Sequence, residues 1–481
     1  MLVQRRWLQP HVAQSIGTFL DNANDLFIFL LALPPTVLTP PLSSLIELAK
    51  LVPISHLWPT NDGFLRSLQD HPEWRVLAQK TIELYPVVTI PDTLVPWIYP
   101  VLPSTNVRVS LSTPLELQAV MEHWVHRLTS IELLLHDDMY MFEMQWTDEH
   151  LKTLCQAVKT APTLTSMRLS WHLTPSFEPI LQSIYKSKLT QIELSYERIN
   201  AVLWNEIMAS EFATWITTQP ITRVALTNLD TVDEIATQLL IDGLLTSNSI
   251  RSLQIHGGLL SHDLFTWHCS FPTNLIQLDL KFNSSDCITG MAAALVNTKL
   301  QILQLELTKP CNMNAEIERL VQTTLPTLHD LRTLHLKQCP LTKTCCVTLS
   351  LLLPRYNDVH LQRNDLTDTH VMTLTSYLEQ CQWLQSLALI DQAYGDISCL
   401  AIAQALTYCY GLRTLSLCGN NIGHAGAIAL FKSKPKQLNT LLLNKNPIAN
   451  EFLQPQQEEF LEFLCLKPNL PQVDEIGIIW T

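Results

Sequence analysis

One six-residue pattern recurs from residue 128 onward and restricts the fold of this chain more tightly than any other feature. It is an aliphatic or similar residue, two variable positions, an aliphatic, one variable, an aliphatic. It reads Leu128-Thr-Ser-Ile131-Glu-Leu133, Leu164-Thr-Ser-Met167-Arg-Leu169, Leu189-Thr-Gln-Ile192-Glu-Leu194 and Ile221-Thr-Arg-Val224-Ala-Leu226. It returns in registers opening at Ile250, Leu275, Leu300, Leu331, Tyr356, Leu384, Leu412, Leu438 and Val473, thirteen copies in all. The fourth and sixth positions are apolar in every copy, which is the period-two signature of a strand with one buried face. Openings lie between 25 residues apart (Leu164 to Leu189) and 36 (Leu128 to Leu164). Such spacing leaves room for a helix between strands, and helix starts stand where it requires them. Thr231-Val-Asp-Glu234 reads as a capping box before Ile235, Leu239 and Leu240, and Thr147-Asp-Glu149 opens a helix through Leu151 and Leu154.

A strand, loop, helix, loop unit cannot bury its strand face and helix face alone. Stacked units bury both, between an inner parallel sheet and an outer layer of helices. The expected architecture is therefore an α/β solenoid in the form of a horseshoe. Three copies carry more than the strand: Asn364 with Leu366, Asn420 with Ile422, and Asn446 with Ile448. An asparagine amide at a strand end satisfies backbone groups left open there, so these three residues read as structural. The repeats resemble leucine-rich repeats of the ribonuclease-inhibitor-like type over about three quarters of the chain.

Residues 1–65 differ in character. Leu8-Gln-Pro10 precedes a helical spacing through Val12, Ile16, Phe19 and Leu20; Asn24 to Leu30 suggests a second helix, Ser44 to Lys50 a third, and His56-Leu57-Trp58-Pro59 closes the segment. That order resembles an F-box. The resemblance implies docking on a Skp-type adaptor of a cullin ubiquitin ligase, with Pro10, Ile16, Leu20, Leu26 and Trp58 facing the adaptor or packing the bundle. The repeats behind would then hold the ligase substrate. Alternatively residues 1–65 only cap the first edge of the solenoid, and the chain is a stand-alone binding or inhibitor protein. Between 66 and 127, Tyr85 to Ile90 and Val107 to Leu111 read as degenerate first repeats, followed by a helix over 115–126 with Trp124 as a core residue.

Positions three, five and seven of each strand point away from the core, onto the inner face. The fifth column runs Glu132, Arg168, Glu193, Ala225, Gln254, Asp279, Gln304, His335, His360, Ala388, Ser416, Leu442 and Gly477. Glu132, Arg168 and Glu193 form an alternating ladder across neighbouring strands. The middle repeats are mixed in sign and rich in histidine, so Gln254, His256, Asp279, Lys281, Gln304, Glu306, His335, Lys337, Asp358, His360 and Gln362 are the expected footprint of a protein partner.

Composition narrows the alternatives. A formal charge of −13, from 44 acidic against 31 basic side chains, disfavours nucleic acid as the ligand. The twelve cysteines begin at Cys155, contain no C-x-x-C spacing and read as buried free thiols, pointing to the cytosol or nucleus. The apolar run from Leu26 is broken by Pro34, Pro35, Pro40 and Pro41, which argues against a membrane span. With 12 glycines there is no dinucleotide or phosphate loop, and no nucleophile has a base fixed beside it. No enzyme activity, cofactor or metal is expected, although His335, His360 and Asp358 stand close in register as a two-histidine, one-carboxylate set. A weaker reading, GTPase activation, would rest on Arg363.

Overall fold

A computed structural model describes residues 23–57, 71–85, 87–90, 106–111, 114–135, 147–171, 178–196, 203–264, 270–282, 290–296, 298–308, 314–433, 435, 437–450 and 477–479. The chain divides into two compact units, Met1–Val202 and Leu203–Thr481.

In the first unit the strands β1 (Val87–Ile90), β2 (Asn106–Leu111), β3 (Leu128–Leu135), β4 (Ser166–Trp171) and β5 (Gln191–Tyr196) pair in chain order, all parallel. The second unit contains β6 (Arg223–Thr227), β7 (Ser252–His256), β8 (Gln277–Phe282), β9 (Ile302–Leu307), β10 (Thr333–Lys337), β11 (Asp358–Gln362), β12 (Ser386–Ile390), β13 (Thr414–Ser416), β14 (Thr440–Leu442) and β15 (Gly477–Ile479). Like pairs with like: Leu278 stands beside Leu303, Leu303 beside Leu334, and Leu334 beside Val359. That register keeps the first, fourth and sixth positions of the motif in one buried face. Leu331, Leu334 and Leu336, for example, are fully covered. Helices such as Glu206–Thr218, Glu234–Thr246, Lys343–Leu352 and Asp396–Leu406 connect the strands, and parallel pairing requires crossovers of that kind. Each unit has the leucine-rich-repeat architecture that the hexapeptide implied, parallel strands stacked in register and joined by crossover helices.

The final strand departs from expectation. The Val473 register predicts one more parallel repeat, but β15 runs antiparallel to β14, with Leu441 opposite Ile478. An antiparallel return closes the hydrogen-bonding edge of β14 without another crossover.

Helix starts are legible in part. Thr147 caps Asp148–Thr160, and His150 replaces the usual glutamate: the Thr147 N–H donates to His150 Nδ1 at 3.2 Å, and the His150 N–H to Thr147 Oγ1 at 3.4 Å. Thr231 is not a cap. Its backbone bridges to Trp204 and its hydroxyl meets Thr237 Oγ1 at 2.5 Å, so the helix begins two residues later with Asp233, whose Oδ1 accepts from the Ala236 N–H at 2.8 Å. The helix expected over 115–126 is Pro114–His123, and Trp124 is buried just beyond it.

Upstream of the sheet, helices Ala23–Leu31, Pro40–Ala49 and Ile54–Leu57 bury Leu26, Leu30, Leu42, Leu45, Leu48 and Leu57. The prolines interrupt the apolar run as expected, leaving a 3₁₀ turn at Pro35–Val37. Among the described residues no helix is long and apolar enough to cross a membrane. The helix expected through Ile16 and Leu20 lies outside the described residues.

Two devices end the strands of the second unit. The eighth motif position takes left-handed backbone in seven repeats: Asn228, Gly257, Gln338, Arg363, Asp391, Gly419 and Lys445, with φ from 51° to 69°. In four of these repeats the ninth position carries a side chain that reaches back to the preceding repeat. Asn364 Oδ1 accepts from the Cys339 N–H at 3.2 Å, Gln392 Oε1 from Asn364 at 3.0 Å, Asn420 Oδ1 from Gln392 at 2.8 Å, and Asn446 Oδ1 from Asn420 at 3.1 Å. Their amide NH2 groups donate to strand-end carbonyls, such as Asn420 Nδ2 to Leu389 O at 2.9 Å and Leu417 O at 2.7 Å. The three asparagines have the structural place expected of them, and Gln392 is a fourth member that the Asn pattern did not reveal.

Candidate functional site

All eleven residues of the expected footprint lie on one face of five consecutive strands, β7 to β11, and all are half-buried. The cause is strand alternation: odd motif positions leave the core on the same side, and the parallel register sets each beside its counterpart. His256 stands next to Lys281, Lys281 next to Glu306, Glu306 next to Lys337, and Lys337 next to Gln362. Gln254, Asp279, Gln304, His335 and His360 form the parallel row.

These side chains pair across strands. Glu306 Oε1 receives both ammonium groups, Lys281 Nζ at 3.1 Å and Lys337 Nζ at 2.9 Å. His256 Nε2 meets Asp279 Oδ1 at 2.9 Å, and its Nδ1 lies 3.2 Å from Gln254 Nε2. His335 is held on both sides, by Gln304 at 3.1 Å and by Asp358 Oδ2 at 2.8 Å, and its ring lies 5.3 Å from that of His360. Gln362 Nε2 donates to Asp391 Oδ2 at 2.9 Å, and Arg363 Nε reaches the same oxygen at 3.2 Å. Arg363, the one residue on which GTPase activation would rest, is thus tied to Asp391.

The electrostatics follow from this packing. Burial raises the Glu306 carboxyl, but Lys337 and Lys281 outweigh it and hold the group below the ordinary carboxylate range. Burial likewise works against Asp358, and the hydrogen bonds of His335 and Ser386 with the charge of the two histidines bring it below its ordinary value. His360 is pushed down, first by burial and then by His335, more than Asp358 restores, so protonation of its imidazole is disfavoured. Each pair is partly solvated and contributes about 0–1 kcal/mol, so an incoming group exchanges with it at small cost.

The fifth column is not uniformly open. Ala225, Ala388 and Ser416 are 0%, 7% and 6% exposed although they point from the sheet. Each stands in register beside a larger residue, Ala225 beside Gln254, Ala388 beside His360 and Ser416 beside Leu442. In the first unit the expected ladder is present: Arg168 bonds Glu132 and Glu193, each at 2.9 Å.

Of the residues assigned by the F-box resemblance, Leu26 is buried in the helical segment, whereas Pro10, Ile16, Leu20 and Trp58 lie outside the described residues. Among the described residues no three His, Cys, Asp or Glu side chains are grouped to hold a metal. The described cysteines are free, and all but half-buried Cys418 are buried. Burial drives the thiols of Cys346, Cys381 and Cys409 up to about 12, which keeps them protonated and unreactive at neutral pH.

No protein-family model matches the chain, and no curated protein matches it. Among solved structures it is similar to an internalin from Listeria monocytogenes, at 15% identity over 61% of this chain and 77% of that one, with a TM-score of 0.35.

Proposed function

We propose that this chain is a protein-binding scaffold that holds its ligand on the sheet face of β7 to β11. The observation that carries this reading is the set of charged and amide side chains on this face, held by cross-strand pairs from His256–Asp279 through Lys281–Glu306–Lys337 to His335–Asp358, with Gln362 held by Asp391. A preorganised polar surface loses little side-chain freedom on binding, and its pairs re-form with a partner whose charges are complementary. The test is capture of a ligand from cell extract, followed by titration of the identified ligand against full-length variants. Lys281→Ala with Lys337→Ala is expected to weaken binding at least about tenfold, or ~1.4 kcal/mol. Glu132→Ala, in the first unit, is expected to leave it unaltered. Equal affinity of the lysine variant and the parent overturns the assignment.

A finer reading makes the scaffold the substrate-recognition subunit of a cullin-type ubiquitin ligase, with residues 1–65 on the adaptor. What favours it, beyond the order of sequence features, is that helix Ala23–Leu31 buries Leu26 and Leu30 while leaving Ile28 and Leu31 68% and 71% exposed. Large aliphatic side chains so placed suit a helical partner. Ile28→Asp with Leu31→Asp is expected to abolish recovery of a Skp-type adaptor and a cullin with the full chain while sparing the sheet-face ligand. If the parent recovers neither, the ligase reading fails and the stand-alone binding or inhibitor reading stands.

A further inference from the structure

Opposite in chemistry to the sheet face is the edge where two neighbouring helices begin. Helices Glu206–Thr218 and Glu234–Thr246 lie side by side in the second unit. Ahead of them the chain forms a parallel bridge, in which the Trp204 N–H donates to Asp230 O at 3.0 Å and the Val232 N–H to Trp204 O at 2.9 Å. Gly243 allows the helices to approach closely, since a Cβ there would stand 2.6 Å from that of Ala213. Ser247 Oγ fastens the far end by donating to Ile216 O at 2.8 Å.

On this braced edge four aliphatic side chains face solvent: Leu203, Ile207, Val232 and Ile235, each more than half exposed. Ile207 and Ile235 hold the same place, second in each helix, one residue off the buried face. A single exposed isoleucine is ordinary, but four in two adjoining turns form a patch. Its rim is anionic. Glu206, Asp233 and Glu234 are exposed among the four, and from Leu203 to Ile250 the chain carries six acidic side chains against one basic, Arg223, which belongs to the strand β6.

We infer that this helix-entry edge is a second docking surface, for a protein segment that presents aliphatic side chains flanked by lysine or arginine. The aliphatic contacts supply burial and the rim selects sign, so an acidic or uncharged amphipathic segment is rejected. The surface does not depend on the sheet-face assignment.

The probe is a labelled amphipathic peptide of about fifteen leucines and lysines, with a leucine–glutamate peptide and a scrambled leucine–lysine peptide as controls, followed by anisotropy against the full chain. Because a chain of net charge −13 attracts any cation, the discriminating variant is L203S/I207S/V232S/I235S, which leaves that charge unchanged. It is expected to weaken the amphipathic leucine–lysine peptide at least about tenfold. E206Q/E234Q, at two exposed positions and therefore folded even if the serine variant is not, is expected to weaken it severalfold and to flatten its salt dependence. The Lys281→Ala and Lys337→Ala variant, two charges more acidic than the parent, is expected to bind the probe no more weakly than the parent does. Binding unaffected by both edge variants, binding of the scrambled or acidic peptide as tight as that of the probe, or no binding of the probe by the parent overturns the proposal.

Discussion

At the scale of single residues, the strand ends decide most. Asn420 makes contacts that no apolar residue replaces, accepting from Gln392 and donating to Leu389 and Leu417. Asn420→Ala leaves those buried groups open and is expected to cost about 2–3 kcal/mol, read as a lowered thermal midpoint. The left-handed eighth position has its own test. Gln338→Gly is expected to be tolerated, whereas Gln338→Val forces a β-branched side chain to φ 56° and is expected to lie about 1–2 kcal/mol below the glycine variant. His360 adds a pH dependence. Its folded-state value is depressed, so the unfolded chain binds the proton first as pH falls. Its contribution is complete above about pH 6.5 and declines as pH falls through the depressed value. Thermal melts from pH 7.5 to 5.5 are expected to fall less steeply for His360→Gln than for the parent. Of these features the asparagines were readable because their type and place recur. Gln392 fills the same offset with a longer amide, and the handedness of a residue such as Lys445 leaves no trace in its identity.

At the scale of elements, helices are fastened by their neighbours. Asp368 Oδ1 accepts from the Gly395 and Ser398 N–H groups of the next repeat at 3.0 and 3.1 Å, and Asp396 does the same for Gly423 and Gly426 at 2.8 and 3.0 Å. Burial opposes ionisation of Asp368, but these donors with the Ser398 hydroxyl bring its carboxyl below the ordinary value. Asp396→Ala is expected to cost about 1–2 kcal/mol and to speed amide exchange at the start of helix His424–Lys432 before elsewhere. This explains why strands were more legible than helix starts. A strand is written as local alternation, and every one of β4 to β14 begins two residues into its motif. A helix start capped from a different repeat has no local sequence sign, and Thr231 misled because a tertiary bridge turned its hydroxyl inward. The charge pattern of the sheet face was readable for the same reason as the strands. Which charges pair was not, since Glu306 had two lysines in reach and takes both.

At the scale of the molecule, an array of repeats has two ends to protect, and β15 closes one by pairing against β14. Removal of residues 477–481 is expected to uncover that edge and cause concentration-dependent self-association, read by analytical ultracentrifugation. An unaltered sedimentation profile would show that the strand protects nothing. The hydrogen bonds between repeats also have a direction in time. Four strand-end turns, at Cys339, Asn364, Gln392 and Asn420, are each completed by a side chain 25 to 28 residues further on, Asn364, Gln392, Asn420 and Asn446 respectively. The helix entries at Gly395 and Gly423 are instead received by carboxylates already behind them, Asp368 and Asp396 respectively. A chain emerging in order therefore meets its next helix with the receiving carboxylate already in place, while its latest turn stays open until one more repeat follows. A fragment that ends between Asn420 and Asn446 is expected to leave the turn at Asn420 without the amide that completes it.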